Sequence, residues 1–184
     1  MGLTAGGAYH GRMRCLRLIL VTIVATGCGI ADFDVVQPIP EQQVQGSGIP
    51  APLAVLFPLP LDLDLSAQIE KQTTGPIDSV TLTSLALTIT DTAQPSGDTD
   101  DWSFVDEIRV FVKSSKAGTA LPRVEIASTV APGAVTTIDF TVNDDVNLQP
   151  YVSEGSVVES SGSGRIPTDN VSYDGTGVFT VHPL

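Results

Sequence analysis

Three carboxylates fall within four residues in the run Gly97-Asp98-Thr99-Asp100-Asp101. Clustered carboxylate oxygens on a loop are the donors that hard cations such as calcium take. The run lacks the fixed glycine and distal glutamate of an EF-hand, so Asp98, Asp100 and Asp101 have two readings. One is a weak calcium site. The other is a polar loop tip bounded by Trp102, whose ring caps the core. Asn143-Asp144-Asp145 has the same two readings, with Asp144 or Asp145 capping the turn that follows. Other reactive groups are sparse. His182 is the only histidine after Cys28 and stands two residues from the last residue. A Ser-His-Asp site would have to draw its base from that frayed end. No G-x-S-x-G run occurs, and Gly46-Ser47-Gly48 and Gly162-Ser163-Gly164 read as flexible turns. A zinc site needs several His or Cys ligands. A glycosidase needs two carboxylates, but no spacing singles out a pair. The expectation is a protein without catalytic residues and without a resident cofactor, calcium excepted.

The other reactive candidate is a thiol, Cys28, at the end of Met13–Cys28, MRCLRLILVTIVATGC. Arg14 and Arg17 precede the apolar run Leu18–Ala25, and small residues follow: the pattern of a secretory signal. The run is about half the ~20 residues a membrane-spanning helix needs. The exit, Ala25-Thr26-Gly27-Cys28, resembles the lipobox of bacterial lipoproteins, although Ala25 stands where that family most often has leucine. The resemblance implies a diacylglyceryl thioether on Cys28, cleavage before it, and acylation of the new amino terminus with a fatty acid such as palmitate. Gly29 follows the cysteine; in such lipoproteins Asp at this position often signals inner-membrane retention, so the resemblance favours the outer membrane. Residues 1–12, MGLTAGGAYHGR, are Gly-rich and fit no part of such a signal; the expectation is a natural start at Met13, the alternative an extended n-region.

Of the 184 residues, removal of the first 27 leaves 157, enough for one domain with a real core. The only cysteines are Cys15, in the leader, and Cys28, so the mature domain holds no disulfide and is stabilised by packing. All 21 acidic residues follow Cys28, and Arg12, Arg14 and Arg17 precede it. The net charge of −12 therefore becomes about −15 after cleavage. Such a charge disfavours nucleic acid, which requires Lys and Arg to displace phosphate counterions. It equally disfavours lying flat on anionic lipid. It suits solubility in the periplasm or outside the cell.

The elements that would hold these groups are strands. Asp32–Gln37 alternates and suits a first strand. Pro38, Pro40, Gly46, Gly48, Pro50 and Pro52 then read as a linker, so residues 28–52 form the lipidated terminus and tether, and the sandwich domain spans 53–184. Leu59–Leu65 alternates strictly, and Ser66 caps a short helix over Ala67–Thr73. In Ser79–Thr92, Val80 and Leu82 are in one phase and Leu85, Leu87 and Ile89 in the other, which demands a bulge near Thr83-Ser84. Phe104–Lys113, Arg123–Thr129, Val135–Val142, Ser156–Arg165 and Gly175–Val181 read as further strands, with Asp174-Gly175 as a hairpin turn. Leu148, Tyr151 and Val152 suit one helical turn that stops at Gly155. The sum is an antiparallel β-sandwich of about seven or eight strands with one or two short helical turns, preceded by a signal peptide. The pattern resembles small β-sandwich lipoproteins of uncharacterised function in Gram-negative bacteria.

Three roles are open at this level. The first is a non-enzymatic structural or protein-interaction module, held to the membrane through the lipid on Cys28 and facing envelope proteins. The second is a carrier of an apolar small ligand, with Leu53–Phe57 lining an opening. The third is a calcium-dependent adhesion or sugar-binding domain built on Asp98, Asp100 and Asp101.

Overall fold

The computed structural model describes residues 31–47, 52–55, 65, 71, 75–92 and 98–184. The leader, Cys28, the helix read over residues 67–73 (Lys71 apart) and most of Leu59–Leu65 lie outside the described residues. Leu65 itself is fully buried.

Among the described residues nine strands form two antiparallel sheets. In chain order they are β1 (Phe33–Val44), β2 (Pro52–Val55), β3 (Ile77–Thr90), β4 (Val105–Ser114), β5 (Val124–Val130), β6 (Thr137–Asp139), β7 (Thr141–Val142), β8 (Ser156–Arg165) and β9 (Val171–Pro183). A 3-10 helix spans Trp102–Phe104, and α1 spans Gln149–Glu154. One sheet runs β1-β9-β3-β6; the other runs β2-β8-β4-β5-β7. The molecule is thus the β-sandwich expected from the strand spacing.

Alternation makes the core. Val35 and Ile39 of β1, Ile108, Val110 and Val112 of β4, and Phe179 and Val181 of β9 are all buried between the sheets. In β3, Val80 and Leu82 point inward, then Leu85 and Leu87 do; the register with β9 shifts between Leu82 and Ser84. The extra residue returns the apolar side chains to the same face, as the phase change requires. α1 ends at Gly155, whose φ of 91° suits a residue without a Cβ.

Five details depart from the sequence reading. β1 continues through Pro38 and Pro40 to Val44, where a linker was expected, so the sandwich includes residues ahead of position 53. Proline cannot donate to a ladder, but β1 is an edge strand and its register shifts between Ile39 and Gln42, the two settings that tolerate it. β2 is a strand where an apolar lining was read, and it pairs with β8 from Pro52↔Arg165 to Val55↔Gly162. The Gly162-Ser163-Gly164 run is therefore sheet and not turn. Val135–Val142 is broken at Phe140. β6 pairs with β3, β7 pairs with β5, and Phe140 N–H donates to Leu85 C=O at 2.9 Å where the chain passes between sheets.

The fifth departure concerns Asp174-Gly175, which is mid-strand in β9 rather than a turn, flanked by β1 and β3. The glycine is there for closeness. A Cβ on Gly175 would stand 2.4 Å from the Ala86 carbonyl oxygen and 2.6 Å from Leu87 Cδ2. Gly175→Ala is therefore expected to lower stability by about 1–3 kcal/mol, the usual range for overpacking. Urea denaturation checks it; an unchanged midpoint would show that the two strands separate freely here.

Candidate functional site

The aspartate loop sits at one end of the sandwich, with the end of β1, the start of β4 and the β8–β9 connection. Backbone contacts tie these segments together: Ser47 N–H donates to Pro167 C=O at 2.9 Å, and Gly46 N–H to Asn170 Oδ1 at 2.9 Å. Between them is an open cleft of about 460 Å³, lined among others by Asp100, Asp101, Phe104, Arg165 and Asp169.

The three aspartates predicted as cation ligands do different work. Asp98 Oδ2 accepts from Thr92 N–H and, at 2.8 Å, from Thr92 Oγ1, and Asp98 Oδ1 accepts from Asp100 N–H at 2.9 Å. Those donors stabilise its anion and lower its pKa, the Thr92 amide foremost. Asp101 Oδ1 accepts from Ser103 N–H at 2.9 Å and caps the 3-10 helix. Only Asp100 has an oxygen, Oδ2, that is buried without a hydrogen-bond partner among the described residues. Its pKa is pushed up to about 6, first by burial, then by the charges of Asp98 and Asp169. Among the described residues no group of three or more His, Cys, Asp or Glu side chains is arranged to hold a metal ion. The loop thus gathers the three residues, but two of them turn their carboxylates onto backbone amides. Asn143-Asp144-Asp145 lies at the opposite end of the sandwich, next to α1.

Asp100 changes charge near pH 6, and Arg165 lines the same cleft; Arg165 Nη2 also donates to Ser103 C=O at 3.4 Å. A carboxyl whose pKa rises on folding binds its proton more tightly in the folded chain. It stabilises the fold below the ordinary aspartate range, and that contribution is lost as pH rises through about 6. Asp100→Asn should therefore melt a few degrees above the parent at pH 7.5, about 1 kcal/mol, with the gap closing below pH 4. A gap that is constant with pH would contradict this. Asp169 and Arg165 were not foreseen: they lie more than sixty residues from the aspartate loop, and no local pattern marks them.

His182 is not frayed. It sits in β9 opposite Ser79, Leu184 N–H donates to Pro76 C=O at 3.0 Å, and His182 Nδ1 pairs with Asp32 at 2.9 Å. This is the end of the sheet far from the cleft, since Val181 faces Phe33 whereas Val171 faces Val44. Trp102, Tyr151 and Tyr173 are buried, as core residues should be. Trp102 stacks on Phe104 at 5.8 Å between ring centres, meets Tyr173 edge-on at 5.4 Å, and donates from Nε1 to Thr136 C=O at 3.1 Å.

The outer faces differ in charge. β1, β9, β3 and β6 contain no lysine or arginine. On the other sheet, Arg109 bridges Glu107 at 2.6 Å and Glu125 at 3.3 Å. Glu159 there pairs with Lys113 and with Arg123 at 3.0 Å, and Arg123 lies over the Phe111 ring at 3.4 Å.

No protein-family model matches the chain, and comparison with curated proteins returns no match. Among solved structures it is similar to the BFDV capsid protein in its 60-mer form, with 9% identity, coverage of 82% of this chain and 91% of that chain, and a TM-score of 0.34. The decameric form of that protein gives 12% identity, 82% and 96% coverage and a TM-score of 0.35. Desmodium yellow mottle tymovirus gives 13% identity, 100% and 97% coverage and a TM-score of 0.28. Likeness at this level carries no inference about activity or assembly.

Proposed function

We propose that this protein is a lipid-anchored, non-enzymatic β-sandwich of the bacterial cell envelope, a structural or protein-interaction module held in the outer membrane through Cys28. The observation that carries the reading is the run from Arg14 to Cys28, two arginines, an apolar stretch and Ala25-Thr26-Gly27-Cys28. The sandwich is compatible with such a role. Its four-stranded sheet presents a threonine-rich outer face without lysine or arginine, including Thr81, Thr83, Thr88 and Thr180. An uncharged to acidic face of this kind suits contact with a neutral or basic protein surface better than with phosphate-bearing partners.

The carrier reading needs a hollow between the sheets. Among the described residues that space is filled by buried side chains, with Trp102, Tyr173 and Phe179 the largest of them, and the cleft opens at one end instead. Crosslinking of the native lipoprotein in its envelope, followed by identification of neighbours, tests the interaction role. Reproducible protein neighbours are expected. Crosslinks to no protein would contradict it.

A further inference from the structure

We infer that the sandwich end bearing the start of β1 and the end of β9 is seated on the headgroups of the membrane that holds the anchor, with the aspartate cleft turned away from it. The inference rests on the lipid on Cys28 proposed above and adds an orientation to it. Its basis is chain length. β1 begins at Phe33, already in register with Val181, and Asp32 is paired with His182 at 2.9 Å. The link from Cys28 to Asp32 is four residue steps, at most ~14 Å when fully extended. β1 is twelve residues long, roughly 35–40 Å. The tether is therefore much shorter than the domain it holds, and it leaves from one end.

The same end gathers α1 and the β4–β5 turn. Leu148 N–H donates to Val80 C=O at 2.7 Å, and Ser115 N–H to Gly155 C=O at 3.0 Å. Leu184 projects there, 74% exposed. The charged side chains at this end include Asp32, Asp78, Asp144, Asp145, Glu154 and Lys116, with Arg123 paired to Glu159 at 3.0 Å; acidic groups predominate, so electrostatic attraction to anionic lipid does not seat it and the tether does. On the five-stranded sheet Arg109, Lys113 and Arg123 are each paired with a glutamate. The four-stranded sheet has no lysine or arginine, and the far end carries Asp98, Asp100, Asp101 and Asp169 against Arg165.

The test uses the acylated protein purified from envelopes, with one added thiol, Leu184→Cys or Thr168→Cys, each carrying a fluorophore. Both positions are exposed, at opposite ends. The protein is bound to phosphatidylcholine vesicles containing a headgroup-labelled quencher lipid, and flotation with the vesicles reports the anchor separately. Flotation with several-fold stronger quenching at position 184 than at 168 is expected. Insertion of about thirty Gly/Ser residues after Ala31, a coil of roughly 30 Å, should preserve flotation and bring the two positions together. Flotation with equal quenching in the parent, or a difference that survives the insertion, overturns the orientation alone. Failure to float overturns the anchor beneath it.

Discussion

Cys28→Ala is expected to move the protein from the membrane fraction to the soluble fraction almost completely. Each acyl chain with a dozen buried methylenes contributes on the order of 10 kcal/mol, and stable anchoring takes two or more such signals. Residues 28–184 carry a net charge of about −15, so anionic lipid repels them. Among the described residues no helix is long and apolar enough to cross a membrane. Fractionation of cells expressing the parent and the variant checks the expectation. Retention of Cys28→Ala in the membrane would mean that something other than the thioether holds the protein.

Trp102→Ala should cost about 3–5 kcal/mol, the range for removing a large buried aromatic. The indole is fully buried at the junction of both sheets. It packs against Phe104, which leads into β4, and against Tyr173 of β9. Its Nε1–H donates to Thr136 C=O just before β6, a carbonyl that also accepts from Ile89 N–H at 2.8 Å, so truncation leaves a cavity and removes one of two hydrogen bonds there. For a domain of this size the melting temperature should fall by roughly 10 °C or more. Val36→Ala, at a position 61% exposed, serves as the comparison and should change stability by no more than about 0.5 kcal/mol. Equal effects from the two substitutions would show that the Trp102 cluster does not join the sheets.

Inner faces were legible because a sheet buries every second residue. Ile108, Val110 and Val112 could be assigned to the core from spacing alone, and the phase change in β3 marked its bulge. What local pattern could not show was the role of residues whose meaning depends on a neighbouring strand. Pro38 and Pro40 signal a break anywhere except on an edge, and an edge is a property of the whole sheet. Gly175 signals a turn unless the next strand passes too close for a Cβ. Phe140 looks like any strand residue, although the chain changes sheets there. The aspartate loop was visible as three carboxylates, but not the division of labour within it. Asp98 and Asp101 are used by backbone amides, and Asp100 is raised partly by Asp169, which arrives from the β8–β9 connection.

The central claim, a lipid on Cys28, is tested most directly by mass spectrometry of the amino-terminal peptide of the protein extracted from envelopes. The account predicts a peptide that begins at Cys28 and carries a diacylglyceryl group on sulfur and a fatty acyl group on nitrogen. A peptide that continues through Gly27 into Cys28, or one beginning at Cys28 with a free thiol, would contradict it.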